Sequence, residues 1–490
     1  MAVEVLIHAG AGEIRAGLVS DGKLEELSFE RTIGGRTRGA ASLIGDIMLG
    51  RVQRVMTGMQ AAFVDIGMER AGFLALRDAR SLAKEEEAEI GAQIGDCVRE
   101  GDAVLVQVIK DPIGEKGARL SAGVTLPGRL LVMTPGQKGL MLSRRIEDEN
   151  QRAALVALGE ELLKRSVSGA GFIFRTAALG VSLDELVQDA LALEDSWRGI
   201  EEKRKQARPP ATLHHDLGAI ERTMRDHVRG EVSRVVIDDA SAAEAARAYC
   251  RRAMPGAESL IELVAEPVFS LYGLEDEIAG LALPRVTLSS GAWITIETTE
   301  ALTAIDVNSG RFTGGSGLEE TSHAVNLEAA GEIGRQIRLR GIGGLIVVDF
   351  IHLSDPLHVT EILLALEKSL GFDRAPVQIS PMSAFGIVAI TRKRLREPLG
   401  HLTGVPCPAC AGTGRSQSPE SVALTVLARV EREARAAPGR EILAEAAPDV
   451  AAWLNAHLDE VGPELARRGA GRVRFEPGSF AREEFDVRAV

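Results

Sequence analysis

Apolar and polar residues alternate along the first 30 positions, with Val3, Val5 and Ile7 on one side of one run and Ile14, Ala16 and Leu18 on one side of the next. A period of two marks strands, and Asp21-Gly22 supplies a turn between them. From about Gly45 to Leu76, glycines punctuate short apolar runs (GDIMLGRVQRVMTGMQAAFVDIGMERAGFLAL). After an acidic stretch, KEEEAEIGAQIGD, Asp102 to Ile109 makes another such run. Several short strands with regular turn signals predict a small barrel, with the acidic stretch as a solvated loop or helix and residues 34–39 as a linker.

Between residues 127 and 180 the pattern predicts strands at RLLVMTP and GFIFRTA, with a helix at about 148–166. Residues 182–229 read as helix broken at Pro209-Pro210, and the strand RVVID precedes a helix over SAAEAARAYCRRA. From about Pro284 strand and helix alternate. The strands WITIET and ALTAIDVN lead through the loop SGRFTGGSG to a helix from about Glu319 to Arg340 that ends at Gly341. The run GGLIVVDFI, a helix over 356–370 and the strands PVQIS and GIVAITRKR follow. Such alternation predicts an α/β block with a largely buried sheet. Residues 417–490 read as a small terminal domain of helices and late strands such as RVRFEP.

A chain of 490 residues holds several cores rather than one. With 45% hydrophobic and 26% charged residues it has the composition of a soluble protein, and no apolar run reaches the roughly 18 residues of a membrane span. The N-terminus lacks a basic region followed by a long apolar stretch, which predicts a cytoplasmic protein without a signal peptide. Four cysteines are too few for a disulfide framework, and the isolated Cys97 and Cys250 read as buried thiols. The net charge of −13 opposes nonspecific nucleic-acid binding, so any such contact rests on local basic patches or on cations held by carboxylates.

Within ALTAIDVN, a period of two puts Leu302, Ala304, Asp306 and Asn308 on one face, with Ile305 and Val307 on the other. Asp349 closes the apolar run LIVVDF. A carboxylate at the end of a buried strand is unstable unless it is paired or binds metal. Two carboxylates and an amide are oxygen ligands of the kind Mg²⁺ takes. The same residues equally fit a structural role, capping loops or neutralising an arginine.

On the helix 319–340, Val325, Ala329, Ile333 and Ile337 form an apolar stripe. Arg335 and Arg338 lie together on its side, either as phosphate contacts beside a metal or as a basic last turn facing the helix dipole. The patch TRKRLR at 391–396 has the same two readings. Aromatic residues make up only 4% of the chain, and Phe63 and Phe73 fall on barrel strands, where they either stack on unpaired bases or fill the core. Lys116 adds a candidate phosphate contact, and Arg175-Thr176 joins a guanidinium to a hydroxyl in a way that suits a terminal phosphate.

Cys407 and Cys410, in CPACAGTG, form a C-x₂-C turn with glycines, which points to zinc. A structural zinc takes four ligands, and the chain has no second C-x₂-C. His401 is a candidate third ligand. Two chains each donating two thiolates is the simpler solution, and it predicts an oligomer.

Taken together, AAFVDIGMERAGFL, VIKDPIGEKGARL, GFIFRTA, ALTAIDVNSG, NLEAAGEIGRQIRLRGIGGLIVVDFI and CPACAGTG resemble the ribonuclease E/G family over essentially the whole chain. The match is to the branch without a long disordered C-terminal scaffold. The resemblance implies an α/β multidomain protein. Residues 1–35 and 216–284 would form a noncatalytic ribonuclease-H-like domain, 36–126 an inserted S1 barrel of OB type that binds RNA, and 127–215 a 5′-sensor region. Residues 285–402 would form a DNase-I-like catalytic domain, 403–416 a zinc link and 417–490 a small C-terminal domain.

By the same resemblance, Asp306 and Asp349 hold Mg²⁺ with Asn308 in support, and Phe63, Phe73 and Lys116 grip RNA. Arg175 and Thr176 bind a 5′-monophosphate, and Cys407 and Cys410 form half of a zinc site shared in a homodimer or homotetramer. The implied activity is Mg²⁺-dependent endonucleolytic cleavage of single-stranded RNA, giving 5′-phosphate products in ribosomal-RNA maturation and messenger turnover. One departure bears on the sensor: the ribonuclease E branch resembles RIQIS, with an arginine before the strand, whereas this chain reads PVQIS, with Pro376. A noncatalytic RNA-binding or assembly factor is the alternative class. A zinc-knuckle chaperone fits less well, because it would carry several C-x₂-C-x-G-x-G units.

Overall fold

The computed structural model describes residues 2–32, 43–82, 93–112, 116–143, 146, 148–166, 169–228, 231–311, 317–371, 373, 375–394, 397–410 and 412–490. The readings placed on the linker 34–39, most of the acidic stretch, the middle of SGRFTGGSG and the end of TRKRLR lie outside these residues. The chain divides into two compact units, Met1–Gly400 and His401–Val490. Among the described residues no helix is long and apolar enough to cross a membrane.

In the first unit, β1 (Val3–Ala9), β2 (Glu13–Ser20) and β3 (Lys23–Arg31) form the antiparallel meander that the alternation predicts. Asp21 and Gly22 take positive φ, as the tight turn requires. β14 (Val232–Ile237) pairs parallel to β1, and β15 (Ile261–Leu263) pairs parallel to β14, so segments more than 200 residues apart share one sheet.

Five strands close into a barrel: β4 (Ile47–Met56), β5 (Ala61–Asp65), β6 (Gly72–Ala75), β7 (Ala103–Lys110) and β8 (Arg119–Ser121). The order runs β4-β5-β6-β8-β7, and β7 pairs back onto β4. Val52, Val64, Leu74, Val106 and Leu120 fill its interior. The half-buried Cys97 packs at the margin of this core, whereas Cys250 is fully buried, so only one of the two isolated thiols is the buried one the sequence predicts.

The segment that follows carries β9 (Leu126–Pro127), β10 (Leu131–Thr134), β11 (Leu140–Leu142) and β12 (Gly171–Phe174) in one small sheet, with the helix Glu149–Arg165 between β11 and β12. The helical reading of 182–229, broken at Pro209-Pro210, holds on both sides of the break and is corrected just past it. Helix Leu183–Gln206 stops before the Pro209-Pro210 pair, and Ala211–His214 is a strand, β13, that adds to β4 before a second helix at Ala219–His227. Proline removes the N–H groups that a continued helix needs, and β4 offers open backbone groups instead.

The last sheet of this unit has six strands in the order β16-β17-β18-β19-β21-β20. They are β16 (Arg285–Thr287), β17 (Trp293–Thr298), β18 (Leu302–Asn308), β19 (Gly344–Asp349), β20 (Val377–Ile379) and β21 (Ile387–Arg392). β18 and β19 run parallel, joined by the helix Leu318–Arg340, which ends at Gly341 in the left-handed conformation. The apolar stripe of that helix packs with Ile362 and Leu366 of the helix Pro356–Gly371 on Ile305, Val307, Ile346 and Val348.

Both helices lie on the same face, so the expectation of a largely buried sheet is corrected. The opposite face is open, and Ala304, Leu345 and Thr391 are exposed on it. The strands therefore alternate buried and exposed positions, as a sheet covered on one side must.

The second unit, taken by itself, is a three-stranded sheet of β22 (Ile442–Ala446), β23 (Val473–Pro477) and β24 (Phe485–Ala489), ordered β23-β22-β24. Helices Pro419–Ala436, Pro448–Ala456 and Leu458–Arg467 accompany it, with Val426, Val430, Ile442 and Val450 in its core.

Candidate active site

Register does what spacing alone could not. Asp306 on β18 lies directly opposite Asp349 on β19, at the carboxyl ends of two parallel strands. Adjacent strands are about 4.8 Å apart, so the two carboxylates leave the sheet as immediate neighbours. Both are exposed on the open face, which corrects the picture of carboxylates ending buried strands. Asn308, two residues on and on the same face, donates from Nδ2 to Asp306 Oδ2 at 2.8 Å. That bond fixes one carboxylate oxygen of Asp306. Two solvent-accessible carboxylates and an amide oxygen, one strand spacing apart, suit a hexahydrated cation that keeps most of its waters, the habit of Mg²⁺.

The chain beyond Asp349 is held by residues on which the sequence reading placed no function. Asn326, fully buried on the helix Leu318–Arg340, donates to the Ile351 carbonyl at 2.7 Å and accepts from the Ile351 N–H at 3.0 Å. Glu319 accepts from the backbone N–H groups of Ser354 and Asp355, each at 3.1 Å. Those two bonds hold the Glu319 carboxyl below the usual carboxylate range, against a smaller opposing effect of burial. The signal for Asn326 is in the sequence: an amide next to Val325 and three residues before Ala329, on the apolar side of an amphipathic helix. Asn326→Ala is expected to destabilise the first unit by about 2–4 kcal/mol, since two buried backbone groups lose their partner. Asn326→Asp retains the acceptor but sets a buried carboxylate against the Ile351 carbonyl, so at neutral pH it is expected to lose at least as much. Denaturant melts of the variants check this.

The structure does not bring Arg335 and Arg338 beside this pair. They belong to the helical layer, on the opposite face of the sheet from Asp306 and Asp349. Arg335 binds Glu332 at 2.7 Å, Glu277 and the Leu24 carbonyl at 2.9 Å. Arg338 binds Glu25 at 2.5 Å and the Ser369 carbonyl. Both guanidiniums tie the helix to the first sheet and its flank. A cation on the carboxylate face is Arg285. Arg285 pairs with Thr295, Thr295 with Asp306, Asp306 with Asp349 and Asp349 with Ile387, in one row across the sheet. Arg285 lies 4.0 Å above the Trp293 ring, and Trp293 itself pairs with Asn308. Sequence reading missed Arg285 because only register places it there.

On the barrel, Phe63 and Phe73 are cross-strand partners, with ring centroids 5.9 Å apart in an edge-to-face arrangement. Both are half-buried on the outer surface rather than packed inside, which leaves ring area for a ligand. Arg54 pairs with Phe63 on one flank and Arg119 with Phe73 on the other. Lys116 is exposed. Beside it, a Cβ at Gly117 would stand 2.0 Å from the Ala71 carbonyl, so only glycine lets this segment run close against β6.

Arg175 lies where β12 ends, and Thr176 opens a short 3₁₀ turn. Arg175 donates to the Gly128 carbonyl at 2.5 Å and to Asp226 at 2.7 Å. Burial would raise the Asp226 carboxyl, but the Arg225 and Arg175 guanidiniums outweigh it and hold the group well below the usual range. Part of the Arg175 donor set is thus committed to an ionised carboxylate.

In the second unit Cys410 lies in a turn whose Gly412 and Gly414 take positive φ. The N–H groups of Gly412 and Gly414, with the neighbouring Cys407, lower the Cys410 thiol from its ordinary range, whereas burial pushes Cys250 up to about 11. A thiolate-favouring turn is the ligand environment a zinc knuckle needs. Among the described residues no group of three or more His, Cys, Asp and Glu is placed to hold a metal ion.

A profile of the ribonuclease E/G family matches residues 125–395, and one described as the RNase E/G thioredoxin-like domain matches residues 406–477. Ribonuclease G of Escherichia coli (strain K12) is 36% identical over 498 residues, spanning 99% of each chain. Ribonuclease G of Haemophilus influenzae is 35% identical over 495 residues, again across 99% of both. Ribonuclease E of Escherichia coli (strain K12) is 36% identical over 448 residues, which are 90% of this chain and 41% of that protein. End-to-end similarity to ribonuclease G, joined to the family profile over the sheet that carries Asp306 and Asp349, establishes that the chain belongs to the ribonuclease E/G family.

Proposed function

We propose that the open face of the six-stranded sheet hydrolyses single-stranded RNA internally, with Mg²⁺ held by Asp306 and Asp349. That the chain is an endoribonuclease follows from its family. The observation that carries the rest is the register pairing of Asp306 with Asp349 on a solvent-open face, with Asn308 bonded to Asp306. When bound, the metal supplies a water of lowered pKa and charge stabilisation at the phosphate. Asp306 and Asp349 fix the position of the cation, and Asn308 keeps Asp306 from rotating. Asn326 and Glu319 hold the chain that leaves Asp349, so the second carboxylate keeps its aim. Arg285, two strand spacings or about 10 Å from Asp306, attracts a flanking backbone phosphate. In-line displacement of the 3′ oxygen leaves a 5′-phosphate on the product.

Recognition is assigned to the barrel, read as an S1 domain of OB type. Phe63 and Phe73 stack on bases, which must be unpaired to be reached, and Lys116 meets the backbone. Arg175 and Thr176 are assigned a 5′-monophosphate through their remaining donors, with the Asp226 carboxylate and Pro376 tempering the preference. Residues 1–35 and 216–284 are read as a ribonuclease-H-like scaffold and residues 285–402 as a DNase-I-like catalytic domain. Cys407 and Cys410 are read as half of a zinc site that joins two chains into a homodimer or homotetramer. Precursors of ribosomal RNA and messenger RNA are the proposed substrates.

The test of this reading is competition between a short single strand and the same sequence as a duplex. Preferential cleavage of the single strand is expected. Phe63→Ala and Phe73→Ala should each raise KM about 5- to 150-fold, the loss of one stacking contact, with little change in kcat. A large loss of kcat with KM unchanged, or equal cutting of the duplex, would overturn the assignment.

A further inference from the structure

The carboxylate face ends in a feature that the hydrolysis itself leaves unexplained. Residues 383–386 form a tight turn entering β21, whose first residue, Ile387, pairs with Asp349. The Ser383 hydroxyl accepts from the backbone N–H groups of Phe385 at 3.3 Å and Ile387 at 3.2 Å, and the Gly386 N–H closes on the Ser383 carbonyl at 3.0 Å. The Phe350 N–H donates to the Gly386 carbonyl at 3.2 Å. Gly386 has φ +82°, and a Cβ there would stand 2.9 Å from the Phe350 carbonyl, so glycine lets the turn pack on the residue after Asp349. The turn is therefore fixed relative to the carboxylate pair.

At its tip Phe385 is 84% exposed. Every other Phe, Tyr and Trp among the described residues is buried or half-buried. A cleft of about 410 Å³ adjoins the turn, between it and the segment leaving Asp349, lined by His352, Ser354, Met382 and Ser383 among others. An exposed ring on a rigid turn, beside a cleft with hydroxyl and imidazole groups, suits a flat heteroaromatic ligand whose edge carries donors and acceptors. Arg285 lies on the far side of the carboxylate pair from the turn, and the net charge of −13 leaves backbone attraction a poor source of grip beside Phe385. Stacking needs no charge.

We propose that Phe385 and the adjoining cleft hold the unpaired base of a nucleotide flanking the scissile phosphate. The requirement for a single strand is then imposed at the cut as well as on the barrel. The proposal rests on the open face being the cleavage site.

Two measurements test it separately from that reading. Short single strands carrying 2-aminopurine at successive positions around the cut are mixed with the Asp306→Asn protein. Quenching is expected at one position, lost in Asp306→Asn/Phe385→Ala and kept with Phe385→Trp. In otherwise unaltered protein, Phe385→Ala should lower kcat/KM about 5- to 150-fold. An abasic nucleotide at the quenched position should lower the unaltered protein by the same factor, and the two changes together should lower it no further. Unchanged kcat/KM, additive losses at every position, or a smaller molecular mass for Phe385→Ala (the ring being covered by a second subunit) would overturn the proposal. Should the unaltered protein cleave no RNA, the assignment of the face fails, and 2-aminopurine still decides Phe385: quenching lost on Phe385→Ala supports base binding, and quenching unchanged refutes it.

Discussion

Asp306→Asn is expected to lower the cleavage rate of single-stranded RNA by about 10³-fold or more while leaving its affinity for RNA within about threefold. The size follows from what the carboxylate does. Charge stabilisation at a phosphoryl centre is worth several kcal/mol, and each 1.36 kcal/mol is a factor of ten in rate. Asparagine keeps the shape and can still meet the Asn308 side chain, so the fold is undisturbed. It removes the negative charge that faces Asp349 across one strand spacing. Asp349→Asn should behave alike, and the double variant should lose little more than either alone, because one site needs both groups. RNA affinity is expected to survive because the residues proposed to grip RNA, Phe63, Phe73 and Lys116, sit on a different element, the barrel. Single-turnover cleavage with a parallel filter-binding assay separates the two effects. Loss of binding in step with loss of cleavage would place these residues in recognition instead.

Cys407→Ser is expected to release zinc almost completely and to halve the molecular mass in light scattering. Serine offers a hydroxyl in place of a thiolate, and a shared four-thiolate site loses two of its ligands at once when both chains carry the change. Structural zinc sites are worth roughly 10–16 kcal/mol, enough to hold an assembly by themselves. The turn favours this chemistry, since its backbone N–H groups lower the Cys410 thiol. Zinc content of about one ion per two chains in the unaltered protein is the companion expectation. A mass unchanged by the substitution, with no zinc in the unaltered protein, contradicts the shared site.

Local pattern carried much of this protein into view. A period of two in ALTAIDVN placed Asp306 and Asn308 on one face, and the structure keeps them there. The 3.6-residue stripe of Val325, Ala329, Ile333 and Ile337 is wholly buried, and Gly341 ends that helix as its position suggested. What stayed hidden depends on partners distant in sequence. Whether a sheet is covered on one side or two is set by the path of its crossover helices, so the open face was illegible. Arg335 and Arg338 looked available because Glu277 and Glu25, which bind them, come from other segments. Ala211–His214 became a strand because β4 lay beside it. Arg285 entered the site through three successive register pairings, none visible in one strand alone.

Metal-assisted, endonucleolytic cleavage at the Asp306–Asp349 pair is the proposed reaction. Its most direct test is incubation of the full chain with a short 5′-phosphorylated single-stranded RNA, with Mg²⁺ and with EDTA in its place. Internal cleavage with Mg²⁺, products bearing 5′-phosphates, and no cleavage in EDTA are the results predicted. Equal cleavage in EDTA, or products bearing 5′-hydroxyls, would contradict the account.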